Sequence, residues 1–535
     1  MRKYIARLLL TVVVSIFALS SLGSVVSAQD AVLNLALNSN PPTIDPALAT
    51  DTTSGAVIDN VFEGLTDVMP DGEVVPAGAE SWEVSEDGLV YTFKLREDAV
   101  WSNGDPVVAD DYVYGWLRVL NPDTASQRAN FMYVVEGAEE YNVGGGKPED
   151  VAIQALDDYT FEVTLKDPTV YFTELLAMYT FLPVNRTVVE ANPQWAAELN
   201  EDYVSNGAFD LAEWTLNSHV VLTKSDTYWD RENVALDQVN MQITESASTL
   251  TSDYIAGNFD FLGAPYGEVS LDSIEAFKAD GTLQSEPYSA VYYYTINTTD
   301  PDMANVNIRK ALASAIDRQS IVDNITKGGQ IPATAFVPTI IPGFEEDMNY
   351  FEDADYDQAR EYLAAGLEEL GKSDPSELDI ALSINTSEAH AVIAQAIQEN
   401  WSRELGVNVT IDNTEWQVYL DRLTQKDYQV GRIGWTGKFN DAMTYLGIFE
   451  TAETGNNDTG WEDPAYTELI SLATSELDEA KRLEYLKEAE AILMDAMPII
   501  PIYFYSNDYV QKPEVQGMEY DSVGRINLKN VSLSE

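Results

Sequence analysis

Apolar and polar residues recur with two different periods along this chain, and the period changes from segment to segment. Residues 90–95 and 159–165 alternate apolar and polar, as half-buried strands do. Residues 31–37 predict another strand, with a loop over 38–46 behind it. The stretch 62–183 has the look of a compact insertion. Further on, a strand over 379–384 leads to Thr386 or Ser387, and either can cap a helix reaching residue 405, with Ala, Ile and Trp401 at helical spacing. Gly406 stops that helix, and strand 407–411, helix 415–426 and strand 428–435 follow. Strand–helix alternation at these lengths implies a doubly wound parallel sheet. Ligands of such sheets sit beyond the carboxyl ends of the strands. That makes Gly434-Trp435 and the loop 436–440 the first candidate site. A helix over 476–497 stops before Pro498, and an apolar strand over 499–505 follows it.

At 535 residues the chain is too long for one ordinary core. Its first 28 residues are read apart from the fold. Arg2, Lys3 and Arg7 precede an apolar run over 8–22, and Val26-Ser27-Ala28 is a small-residue cleavage site. Export with cleavage after Ala28 is expected. The sequence has no Cys, which excludes disulfides, thiolate metal sites and a lipid-modified Cys at that boundary. A periplasmic protein without a lipid anchor is the simplest expectation, with secretion to the medium as the second address.

The formal net charge is −59, spread along the chain. Such a field repels nucleic acid and anionic lipid, so no nucleic-acid partner is expected. With 45% hydrophobic residues the chain can still build cores. Only two histidines exist, His219 and His390, and neither accompanies a nucleophile-elbow pattern. Asp353, Asp355 and Asp357 have the spacing of a calcium loop, but Gln358 stands where a Gly is required, so the expected role is an acidic loop with Asp357 capping a helix. No metal, cofactor or catalytic residue is expected. A hydrolytic pair of carboxylates cannot be singled out by counting in so acidic a chain.

Several separated blocks point in one direction. They are 62–65 (FEGL), 76–82 (PAGAESW), 91–96 (YTFKLR), 101–104 (WSNG), 205–209 (SNGAF), 228–230 (YWD), 308–312 (IRKAL), 430–435 (VGRIGW) and 501–505 (PIYFY). In this order the chain resembles the oligopeptide-binding proteins of ABC importers, the cluster C type of extracytoplasmic solute-binding protein. The resemblance implies an α/β, three-domain fold of the periplasmic-binding-protein type II, with two lobes closing on ligand by a hinge. Domain I would comprise 29–62, 186–289 and 506–535, domain II the insertion 63–185, and domain III residues 290–505. It implies a monomeric receptor, not an enzyme, that delivers a peptide or peptide-like ligand to a membrane permease driven by ATPases. An oligosaccharide or an anionic metabolite is the alternative cargo.

The resemblance also nominates residues. Gly434, Trp435 and Thr436 would offer one backbone edge to an extended peptide, and Thr50 to Thr52 the other. Tyr288, Trp416, Trp435 and Tyr505 fall at side-chain pockets, and Arg432 matches an arginine that meets a ligand carboxylate. His390 is either a helix residue or a ligand contact. Where relatives place an Asp for the peptide amine, three residues after the Trp, this chain has Lys438, and Gln127-Arg128 stands in the region of a pocket tyrosine. Three accounts of Lys438 stay open. It points to solvent, with Asp441 or a water taking the amine; or the ligand lacks a free amine; or the ligand places a carboxylate there, with Lys438 and Arg432 both serving anions.

Overall fold

The computed structural model describes residues 31–534 apart from 198, 201–202, 346–347, 453–455 and 522. The expected export segment and its cleavage point after Ala28 lie outside the described residues. Among the described residues no helix is long and apolar enough to cross a membrane.

Three sheets organise the chain. One joins Val32–Leu37 in parallel to Gln238–Ile243 and continues antiparallel through His219–Lys224 and Phe209–Thr215. A second, antiparallel sheet lies within the insertion, in the order Ala79–Val84, Val90–Leu95, Thr160–Thr164, Ile153–Asp157. The third is a mixed seven-stranded sheet. Its main strands are β1 (Gln284–Ile296), β2 (Asp379–Asn385), β3 (Asn408–Thr414), β4 (Val430–Thr436) and β5 (Ile499–Gln511).

The strands β2, β3 and β4 are mutually parallel where they pair, as the alternation predicts. The doubly wound parallel sheet is nevertheless only part of the picture. β1 pairs antiparallel with both β4 and β5, and these long strands form the centre of the sheet. β5 runs six residues past the predicted end at Tyr505. Pro501 is tolerated within it because the β1–β5 register slips beside it, between Tyr292 and Tyr293.

Local signals explain the helices. Ser387 accepts from the backbone N–H of His390 and starts the helix Glu388–Glu404, which buries Trp401. The helix Glu479–Ala496 starts later than predicted, because Asp478 caps it and a separate helix, Pro464–Ser475, lies just before. The acidic loop also differs from expectation. Asp355, not Asp357, caps the following helix by accepting from the Gln358 N–H, while Asp353 pairs with buried Arg318 at 3.0 Å.

Buried apolar residues fall into two large cores. One runs from Leu33 to Tyr266, takes in the insertion, and is completed by Tyr509 to Val531. The other runs from Val291 to Phe504. The chain crosses between them on β1 and β5, and the β1–β5 pairing breaks register between Pro287 and Val291, at the crossing.

The blocks that carry the resemblance hold these cores together. Glu63 accepts from the Tyr228 hydroxyl and from Trp229 Nε1, and Asn206 brackets the Glu63 backbone on both sides. A Cβ on Gly207 would lie 2.5 Å from the Val61 carbonyl carbon, so only Gly permits that approach. Trp101 Nε1 donates to Asp111 at 3.0 Å. Arg309 spends its guanidinium on the carbonyls of Met303, Ala304, Ala496 and Met497.

Candidate functional site

β4 carries the site. Its first residues, Val430 and Gly431, pair with β2, and the described β2 pairing stops there. From Arg432 to Thr436 its described pairing is with β1 alone. One edge of β4 therefore faces a cavity rather than another strand. A 290 Å³ cavity lies there, lined by Tyr288, Ala290, Arg432, Ile433, Gly434, Thr436 and Tyr505. Five of the nominated residues, Tyr288, Arg432, Gly434, Thr436 and Tyr505, thus meet in one place.

Arg432 is the charge at its centre. The residue is 8% exposed. Its guanidinium donates to the Tyr505 hydroxyl at 3.0 Å and to Asn385 Oδ1 at 3.4 Å, and lies 4.5 Å from the centre of the Tyr292 ring. Its Nε has no hydrogen-bond partner among the described residues. No carboxylate among the described residues pairs with it. Burial works against its charge, yet the hydroxyls of Tyr505, Tyr292, Tyr503 and Tyr294 hold its pKa above the ordinary arginine value. A buried guanidinium with a spare donor and no counter-ion has the chemistry to take an anion.

Tyr288 and Tyr505 line the cavity, and further aromatic rings pack behind it. Tyr292 stacks on Tyr503 at 4.8 Å, and Tyr503 meets Tyr505 edge-on at 5.1 Å. Burial pushes the Tyr288 phenol up to about 12. Tyr292 and Tyr503 escaped the sequence reading. The signal was there: Tyr288, Ala290, Tyr292 and Tyr294 recur with period two on β1. Gly434 leaves the space open. A Cβ there would sit 3.2 Å from the Tyr505 hydroxyl and 3.5 Å from Arg432 Nη2. Gly434→Leu is expected to fill the cavity and abolish ligand binding while leaving the thermal midpoint nearly unchanged. Calorimetric titration alongside a melting curve checks both.

The other nominated residues lie elsewhere. Trp435 is anchored by a 2.6 Å bond from its Nε1 to the Thr444 carbonyl and packs against the second core. Thr50 is exposed, and its carbonyl oxygen accepts from Arg128. The expected second backbone edge is not a strand: Asp51 caps a helix that begins at Thr52. Trp416 opens the helix Trp416–Thr424, and its side chain lies outside the described residues. Lys438 continues beyond β4, and its ammonium lies 5.7 Å from the centre of the Trp435 ring. Asp441, the alternative partner for a ligand amine, already pairs with Arg482, which donates to its two oxygens at 2.6 and 2.9 Å.

His390 sits behind the cavity, its Nδ1 3.4 Å from the Tyr292 hydroxyl. Burial, then the charge of Arg432, lowers its pKa from 6.5 to about 4. It stays neutral at physiological pH. The unfolded chain binds that proton more readily, so stability is lost as pH falls from 6.5 towards 4. His390→Gln is expected to remove that part of the acid sensitivity, seen as a smaller gap between urea midpoints at neutral and acid pH.

Comparison with known proteins agrees with this geometry. The description "Bacterial extracellular solute-binding proteins, family 5 Middle" matches residues 73–457. The chain is 45% identical over 500 residues to the oligopeptide-binding protein OppA of Bacillus subtilis, covering 93% of this chain and 92% of that one. It superposes on the Escherichia coli murein tripeptide binding protein MppA with a TM-score of 0.81 at 29% identity, covering 95% of this chain and 99% of the other. Haemophilus influenzae OppA in complex with the peptide RPPGFSPFR gives 0.79 at 30% identity, with 95% and 99% covered. The open strand edge, the two cores joined by two long strands, and these matches agree: the chain belongs to family 5 of the bacterial extracellular solute-binding proteins.

Proposed function

We propose that this protein is the extracytoplasmic receptor of an ABC importer for short peptides or peptide-like ligands. It binds without making or breaking bonds. The observation that carries the reading is the unpaired edge of β4 beside buried Arg432. An extended peptide added there gains main-chain hydrogen bonds whatever its side chains are, and the guanidinium takes a carboxylate. The tyrosines offer broad contact surface with little sequence preference.

Domain I (29–62, 186–289, 506–535) and domain II (63–185) form one lobe in this reading, and domain III (290–505) the other. The two cores and the register break at the crossing support a hinge there. The first 28 residues serve export to the periplasm, and the closed, ligand-loaded monomer is what a permease and its ATPases receive. Native mass spectrometry of protein purified without denaturation tests the reading. Masses of short peptides in the cleft are the expected result, and a carbohydrate mass overturns it.

A further inference from the structure

The chain carries 89 Asp and Glu against 30 Lys and Arg, so a cation that meets no carboxylate stands out. Close to the cleft, Arg482 holds Asp441 and Arg525 holds Asp521. Lys438, like Arg432, meets no carboxylate among the described residues. It is half-buried beside Trp435, and the charged group that acts on it is Arg128, a second cation. Burial and then Arg128 push the Lys438 ammonium down to about 8, so it still carries its charge at neutral pH. Arg128 is half-buried too, with its guanidinium 5.7 Å from the centre of the Phe131 ring and 5.9 Å from that of Tyr179. Its described polar acceptor is the Thr50 carbonyl oxygen, which carries no charge. Among the described residues neither cation has an ion-pair partner.

The two charges also come from different segments of the chain. Arg128 belongs to the insertion and lies over its Tyr179, while Lys438 follows β4, and its chain neighbours Phe439 and Asn440 touch Tyr171 and Glu174 of that same insertion. Like charges brought together by closure oppose it unless something between them is negative. A ligand ammonium there would add a third positive charge. The charge of Asp441 is already balanced by Arg482. Resting on the peptide-receptor reading, we propose that Arg128 and Lys438 form an anion subsite at one end of the cleft, selecting extended peptides that present a carboxylate there in place of a free α-ammonium. Arg432 lies six residues earlier, roughly 20 Å away at the rise of an extended strand. The preferred ligand is thus anionic at both ends, as a peptide with a dicarboxylic acyl group on its nitrogen is.

Calorimetric titration with three forms of tetra-alanine tests this: N-succinyl, N-acetyl and free amine, at neutral pH and low salt. The succinyl peptide is expected to bind at least tenfold tighter than the acetyl one, with the free amine weakest. Lys438→Asp is expected to reverse the order of succinyl and free amine. Lys438→Met, which keeps the bulk of the side chain, is expected to shrink the succinyl advantage without reversing it. A free-amine peptide that binds the unaltered protein as tightly as the succinyl form overturns the subsite but leaves the peptide reading standing. A succinyl advantage undiminished in Lys438→Met also overturns it, even if the Asp variant fails to fold. Absence of binding by all three peptides to every variant removes the peptide reading and the subsite with it.

Discussion

Arg432→Met is expected to destroy peptide binding without destabilising the protein. The guanidinium is buried, keeps its Nε unbonded, and has no carboxylate partner among the described residues. Removing one member of a buried, hydrogen-bonded charge pair costs about 2–5 kcal/mol, which is more than roughly 30-fold in affinity. In the empty protein that pair does not exist. The charge is desolvated there, with Tyr505, Asn385 and the Tyr292 ring to offset the cost. An apolar side chain of similar length removes the desolvation cost together with the contacts that offset it, so the unliganded thermal midpoint should stay nearly unchanged. Calorimetric titration and melting curves on the same preparation check the pair of results. A variant that unfolds early, or binds peptide as well as the parent, contradicts the assignment of Arg432 as the anion receptor.

The second large effect concerns the contact between lobes. Tyr171 of the insertion stacks on Phe439 at 4.0 Å with the rings 8° from parallel. Beside it, the Asn440 N–H donates to Glu174 Oε1 at 2.5 Å. In the proposed two-lobe receptor these groups part when the cleft opens, so they favour the closed state over the open one. Tyr171→Ala forfeits the ring stacking, about 0.5–1.5 kcal/mol, as well as the apolar area buried by the ring. Ligand dissociation should accelerate about tenfold or more, with association little changed. Stopped-flow dissociation and small-angle scattering with saturating ligand check this.

The same contact predicts a pH dependence. Burial raises the Glu174 carboxyl to about 7, with Asp521 and Asp441 adding to the rise and the Asn440 N–H and Arg525 opposing it. The closed state therefore holds this proton more tightly than an exposed carboxyl does. Closure is favoured below pH about 5 and loses that advantage as pH rises through about 7. Affinity should fall across that window, and Glu174→Gln, which keeps the acceptor oxygen without the charge, should flatten the profile.

Much of this was legible in the residues. Helix 388–404, with its Ser387 cap and buried Trp401, and the three parallel strands around it follow from local periodicity and capping, which short-range forces decide. The motifs pointed to the family, yet their side chains mostly lock the cores. Glu63 and Arg309 are spent on buried hydrogen bonds, and neither lines the cavity by β4. Tyr288, Arg432, Gly434, Thr436 and Tyr505, which the family resemblance points to, meet at one cavity. Tyr292 was not named, because its importance lies in packing under Arg432 from a strand well over a hundred residues away.

By itself the sequence determined the element pattern, the acidic charge, the absence of cysteine chemistry and the arginine and glycine of β4. Each depends on composition or on neighbours along the chain. Tertiary structure decided the rest. The described β2 pairing ends at Gly431 and leaves an edge of β4 open, Arg482 engages Asp441, and the charge of Arg128 in the insertion acts on Lys438. The availability of a strand edge or a charge depends on which distant groups pack beside it. Such pairings between distant segments leave no periodic trace in the chain.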